Sequence, residues 1–299
     1  METWIIFALI APALWAITNL FDSKLRNFHI KDEFVLTTFA GFIGLLAFLF
    51  VPIYGISFPG IWIFIVSMIA GVLYIYTMIP YFKALSLEDT STVIMLWYIT
   101  PVLIPFFARF FLNENLFFIQ YVGFAFILLG GLLISIKRNA LKKIHLSKAL
   151  FMMLASGIML DIYYLLEKYI YQNQPFWNGF MWIRLGSFIG ALTILAIPKY
   201  RKSFIQMKNN LNFKSFRLIF GGELLNLIAL VSIGFALSLG SVSLVTSLTN
   251  FQPLFLLVFI VLLSKFFPKL YQEKLSKKII FVKIIAVALL IFGLYLIGI

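Results

Sequence analysis

Apolar and polar positions in this chain alternate in long blocks rather than residue by residue. Ten apolar stretches of about twenty residues run between Trp4 and Ile299, separated by short polar connections. They fall at about 4–22, 34–53, 61–82, 90–112, 116–136, 147–170, 176–197, 215–238, 242–266 and 279–298. A helix needs roughly 20 apolar residues to cross the hydrocarbon core of a bilayer. Backbone groups in lipid must be satisfied within the segment, so each block predicts a transmembrane helix. Barrel-type alternation is missing, because stretches such as Phe124 to Leu129 are apolar on every face.

The blocks repeat. Ala84-Leu85, Ser91 and Pro101 recur as Ala236-Leu237, Ser243 and Pro253, at a constant offset of 152 positions. Leu14 to Lys24 has a weaker echo in Ile158 to Lys168, and Pro52 matches Pro198. Five spans is an odd number, so a duplication of five places its copies upside down relative to each other. Inverted repeats of this kind are a recurring plan of secondary transporters. The expected fold is therefore all-α and integral to the membrane. Ten helices would form two inverted five-helix repeats, residues 1–138 and 147–299, around a central cavity.

Composition agrees: 63% of residues are hydrophobic and 12% charged, more apolar surface than one soluble core could bury. Cysteine is absent, which removes disulfides and thiolate metal sites. The two histidines, His29 and His145, lie in separate polar connections and suggest no metal centre. Only three residues precede Trp4, none of them basic, so the first block reads as a retained span rather than a signal peptide.

A net charge of +13 would suit a nucleic-acid partner, but its distribution argues otherwise. Of the 24 basic residues, 21 fall in alternate connections, on one side of the membrane. That bias marks the cytoplasmic side, which puts both termini outside. The same loops are expected to meet anionic lipid headgroups. The setting is expected to be the inner (plasma) membrane of a bacterial cell.

Span one with its exit, Ala13-Leu14-Trp15-Ala16 through Ser23-Lys24, resembles the opening of an EamA-type domain. Tyr81-Phe82-Lys83-Ala84-Leu85, Ser91, Pro101, Glu114, Gln120, Gly123 and Gly130-Gly131 extend the likeness. Phe235-Ala236-Leu237, Ser241, Ser243, Pro253, Glu273 and Gly293 repeat it in the second half. The chain thus resembles a drug/metabolite transporter superfamily member with two EamA-type domains. The resemblance implies a ten-helix basket with a cavity lined by both halves, moving small metabolites, amino acids or nucleotide-type compounds. There are departures. The arginine often found in the second span of a repeat is present as Arg184 but replaced by Thr38 in the first half. Glu273 is displaced by the insertion Phe266 to Gln272. Family members are commonly described with cytoplasmic termini, against the charge bias here.

Charge inside hydrocarbon costs at least about 2.5–3.5 kcal/mol per residue, so it is kept where water, a partner or a substrate offsets it. Three residues lie well inside the spans: Asp161, Arg184 and Glu223, all in the second repeat. They read either as a substrate- and proton-handling group or as a buried ionic cluster locking three helices. Polar neighbours accompany them. Tyr164 is three residues after Asp161, and Asn226 three after Glu223, each pair on one helix face. Asn250 and Gln252 precede Pro253 as Tyr98 precedes Pro101, and paired proline-interrupted helices point to a transport site. Trp15 and Asn19 on span one complete the candidate substrate-binding set. Paired glycines such as Gly130 and Gly131, or Gly186 and Gly190, fit close helix approach. Glu114 is expected to cap span five.

These features point to a secondary transporter, exporter or exchanger, of small organic and possibly amino-acid-like metabolites by alternating access. No cofactor is implied, and neither substrate nor oligomeric state is specified. The alternatives are a membrane scaffold or assembly protein and a lipid-modifying membrane enzyme. The surface acids Asp32, Glu33, Glu88 and Asp89 lack the paired motif or nearby histidine such an enzyme would need.

Overall fold

Helices form wherever the sequence is continuously apolar, and the polar hinges fall between them. The computed structural model describes residues 2–28, 33–87, 93, 100–135, 148–210, 213–266 and 277–298. The first half contains α1 (Thr3–Phe28), α2 (Glu33–Gly44), α3 (Val51–Tyr54), α4 (Ile61–Leu87), α5 (Ile104–Leu112) and α6 (Phe118–Ser135). The second contains α7 (Lys148–Asn173), α8 (Phe176–Ala196), α9 (Pro198–Asn210), α10 (Phe213–Leu239), α11 (Val242–Ser247), α12 (Gln252–Phe266) and α13 (Lys277–Ile297). Short 3-10 turns continue α2 into α3 and α11 into α12, and another leads into α5.

Among the described residues seven stretches are long and apolar enough to cross a membrane. They are Thr3–Phe21, Phe34–Tyr54, Ile61–Ala84, Lys148–Asn173, Phe176–Ala196, Phe216–Leu239 and Val242–Leu262. Three shorter apolar helical stretches, Thr100–Leu112, Phe118–Leu133 and Phe281–Ile297, sit where the fourth, fifth and tenth spans were expected. Large apolar side chains face outward on these helices, among them Phe110 at 80% exposure, Phe118 at 83% and Ile61 at 73%. Water would penalise that outer surface; lipid does not.

The main packing joins the halves. α6 lies along α13, α1 along α10, α4 along both α7 and α8, and α2 along α8. At the α6–α13 contact Gly123 meets the backbone of Gly293, while Gly130 meets Ala286 and Leu290. Small residues let the backbones touch, which is how membrane helices gain dispersion contact without a hydrophobic driving force.

The two expected proline interruptions are visible. A 3-10 turn covers Thr100–Leu103 around Pro101, and another covers Leu248–Phe251 just before Pro253. A proline inside a helix removes an N–H and frees a carbonyl. Around Pro253 polar side chains take up backbone carbonyls one turn back. Thr246, Ser247 and Thr249 hydroxyls donate to Val242, Leu244 and Thr246 at 2.7 Å, and the Asn250 amide donates to Ser247 at 2.9 Å.

Two features differ from expectation. The connection after the seventh span is helical: α9 sets Tyr200 against Phe34 and Phe204 against Phe39 and Phe42, leaving Arg201 and Lys202 exposed. Aromatic residues four apart give one face that can pack, enough to order a basic segment. Glu114 does not cap the span that follows it. Its carboxylate accepts from the Ser241 hydroxyl and the Val242 N–H, both at 2.8 Å, at the start of α11 in the other half. On the preceding turn Lys168 donates to the carbonyls of Leu237 and Gly240, at 2.8 and 2.7 Å. An acid at a helix N-terminus and a base at a C-terminus both oppose the macrodipole. Glu114→Ala should therefore lower stability by about 0.5–2 kcal/mol. The check is a reduced Tm of the detergent-solubilised protein with no change in oligomeric profile.

Candidate functional site

A cavity of about 130 Å³ lies where the two halves meet. α1 contributes Trp15, Thr18 and Asn19, and α2 contributes Leu36, Thr37 and Ala40. α4 adds Tyr74, Met78, Tyr81 and Phe82, and α10 adds Glu223 and Asn226. These four helices offer the portions that lead to the basic connections. The remainder comes from Leu160, Asp161 and Tyr164 of α7, from Pro101, and from Thr246, Thr249 and Gln252 around the second interruption.

Asn226 organises one wall. Its carbonyl oxygen accepts from Trp15 Nε1 at 3.0 Å, and its amide donates to Tyr74 Oη at 3.1 Å and to Glu223 Oε2 at 3.2 Å. One amide side chain thus ties α1, α4 and α10 together, using both its donor and its acceptor end. Asp161 on α7 also lines the cavity and is 3% exposed. The Thr100 hydroxyl hydrogen-bonds it, and Gly157, one turn earlier, makes room. A Cβ on Gly157 would sit 2.3 Å from Thr100 Oγ1. The other carboxylate oxygen, Oδ2, is buried and has no hydrogen-bond partner among the described residues.

Of the candidate binding residues, Trp15, Asn19, Asp161, Tyr164, Glu223, Asn226 and Gln252 line the cavity. Arg184 does not. It is fully buried, donating from Nη2 to Tyr163 Oη at 2.7 Å, with its guanidinium 4.9 Å from the Tyr74 ring centre and 5.2 Å from that of Phe180. Aromatic faces attract a cation electrostatically, so this cage holds the arginine away from the lining. Asn250 is also buried, packed on Gly131 of α6. Tyr98 lies outside the described residues.

Sequence reasoning missed Glu167, which is wholly buried beside that cage and accepts from Tyr171 Oη at 2.8 Å. Its Oε2, like Arg184 Nε, has no hydrogen-bond partner among the described residues. Glu167 lies three residues before the expected end of the sixth span, but α7 continues to Asn173. The signal was available in the spacing Tyr163, Glu167, Tyr171, which stacks three polar groups on one helix face. Tyr74, Tyr81, Thr18 and Thr37 were also missed as lining residues, since an aromatic or threonine on an apolar helix usually just packs.

Residues 2–136 match the model of the EamA-like transporter family. The first half of this chain is similar to that family. EamA-like proteins are multi-pass membrane transporters of small molecules within the drug/metabolite transporter superfamily. The apolar helices, outward-facing phenylalanines and internal cavity of this chain agree with that likeness. A solved structure titled "Crystal structure of protein" is similar over 99% of this chain and 96% of its own, with a TM-score of 0.69 and 16% identity. At that identity the likeness concerns the fold alone. No curated protein matches by sequence.

Proposed function

We propose that this chain is a secondary transporter of small organic metabolites in a bacterial inner membrane, working by alternating access. Ten helices in two inverted halves, 1–138 and 147–299, would rock about the cavity. The residues proposed to touch substrate are the seven candidates on its wall: Trp15, Asn19, Asp161, Tyr164, Glu223, Asn226 and Gln252. Basic loops would face the cytoplasm, with both termini outside.

The observation that carries this reading is the hydrogen bond between Tyr74 and Asn226 on the cavity wall. These residues are 152 positions apart, the offset at which the sequence repeats. A contact between two such positions is what a pseudo-two-fold axis running between the halves would produce. Helix pairing supports the same exchange: α4 with α7 answers α10 with α1, and α6 pairs with its counterpart α13. The cage of Arg184, Tyr163, Phe180 and Glu167 lies toward the opposite ends of α7 and α8, where it would seal the far side.

Proteoliposomes carrying the purified protein should take up or release a subset of compounds from a defined metabolite mixture, read by mass spectrometry. Asn226→Leu, which removes the hub amide from the wall, should abolish that movement. A protein that moves nothing in either direction, under imposed proton or sodium gradients, would overturn the proposal.

A further inference from the structure

We infer that the substrate is an organic cation, a small ammonium compound with an apolar body the size of one ring. The inference rests on the transport reading above and narrows it. Two carboxylates, Asp161 and Glu223, line the cavity, and no lysine or arginine does so among the described residues. Arg184, the side chain that would have favoured a carboxylate or phosphate, is held in its aromatic cage and is not part of the lining.

Asp161 presents the decisive group. One carboxylate oxygen is served by Thr100, while Oδ2 is buried with no partner among the described residues, on a side chain that lines the cavity. A buried carboxylate oxygen without a donor is costly, and a ligand N–H supplies the missing hydrogen bond and the opposite charge together. An anionic ligand would meet like charge in a low-dielectric space, where repulsion is least screened. The remaining wall suits the rest of such a molecule. Trp15, Tyr81, Phe82 and Tyr164 offer aromatic faces and edges, which favour both a cation and an apolar ring. The volume, about 130 Å³, is close to the roughly 150 Å³ in which an engineered apolar cavity binds benzene. Glu223 and Asn226 add polar groups to the same lining.

A matched series separates charge from shape. Phenethylamine, phenylalanine and 3-phenylpropanoate share one phenylethyl skeleton and are cationic, zwitterionic and anionic at neutral pH. Calorimetric titration of the full-length protein in lipid nanodiscs should show phenethylamine binding about thirtyfold tighter than phenylalanine or better, with no heat from 3-phenylpropanoate. Asp161→Asn should weaken phenethylamine by a similar factor, and Asp161→Glu should keep the order of preference. The wild-type series alone decides the charge class if either variant fails to fold. Preference for phenylalanine or 3-phenylpropanoate, undiminished binding in Asp161→Asn, or no binding of phenethylamine would overturn the inference. If a carboxylate-bearing compound wins, or if proteoliposomes still move other metabolites, the transport reading stands and only the cation is lost. If the metabolite mixture is not moved either, both fall.

Discussion

Arg184→Ala should eliminate folded protein rather than produce a stable, inactive one. The guanidinium is 1% exposed and is held by Tyr163, Tyr74 and Phe180. Its removal takes from Glu167, a buried carboxylate on the neighbouring helix, the nearby positive charge that it feels. Removing one of two buried charges that offset each other costs up to about 3–5 kcal/mol. That is a large part of the 5–15 kcal/mol by which proteins are commonly stable. Glu167→Ala should be nearly as damaging, because it strands the arginine. Replacing both, as Arg184→Met with Glu167→Gln, removes both charges and should recover much of the loss. Size-exclusion profiles and thermal denaturation of the solubilised variants provide the check. An Arg184→Ala protein with wild-type Tm and no transport would instead assign the guanidinium to the substrate.

Gly71→Ala should be the most damaging addition of a single methyl group anywhere on α4. A Cβ there would lie 2.2 Å from the Ile183 carbonyl oxygen, 2.3 Å from Ser187 N and 2.5 Å from the Gly186 carbonyl carbon. These are backbone atoms of α8, so no side-chain rotation can relieve the clash. A Cβ on Gly186 would likewise lie 2.7 and 2.8 Å from the carbonyl oxygens of Ser67 and Met68, so the two helices touch along their main chains. Overpacking costs about 1–3 kcal/mol where side chains can yield, and more is expected where whole helices must part. Parting them would also separate Tyr74 on α4 from Arg184 on α8, damaging the cage as well. Gly221→Ala is the control, because nothing lies within 4 Å of its added methyl. Its Tm should match the wild type, whereas Gly71→Ala should lose most monodisperse protein. Equal Tm values for the two would contradict the close crossing.

Much of the architecture was legible because a bilayer imposes one simple requirement, length of apolar sequence. Both prolines marked real interruptions, since Pro cannot donate its N–H wherever it stands. What composition alone could not settle was direction around the helix axis. Arg184 and Asp161 are each the one charge near the middle of an apolar span, and their sequences look alike in that respect. One is packed among rings and the other lines a cavity, a difference set by which neighbour crosses at that height. Gly157 and Thr100 decide it for Asp161; Tyr74 and Phe180 decide it for Arg184. Glu114 shows the same limit. Its neighbours in sequence suggested a local cap, but the free N–H groups it serves belong to a helix more than a hundred residues away.

The hydrogen bond between Tyr74 and Asn226 has a further consequence for direction of transport. Were the proposed halves identical, exchanging their roles would convert an opening on one face into an opening on the other at no cost in energy. Here the exchange would have to turn a tyrosine into an asparagine. It would also move Asp161, Glu167, Arg184 and Glu223, all in the second half, into positions occupied by none of their kind. The two openings of the proposed cycle would therefore be unequal in energy. A gap of about 1.4 kcal/mol is enough to populate one tenfold over the other. On the proposed reading, duplication would supply the hinge geometry, and divergence of one copy would make the resting protein lean toward a single face of the membrane.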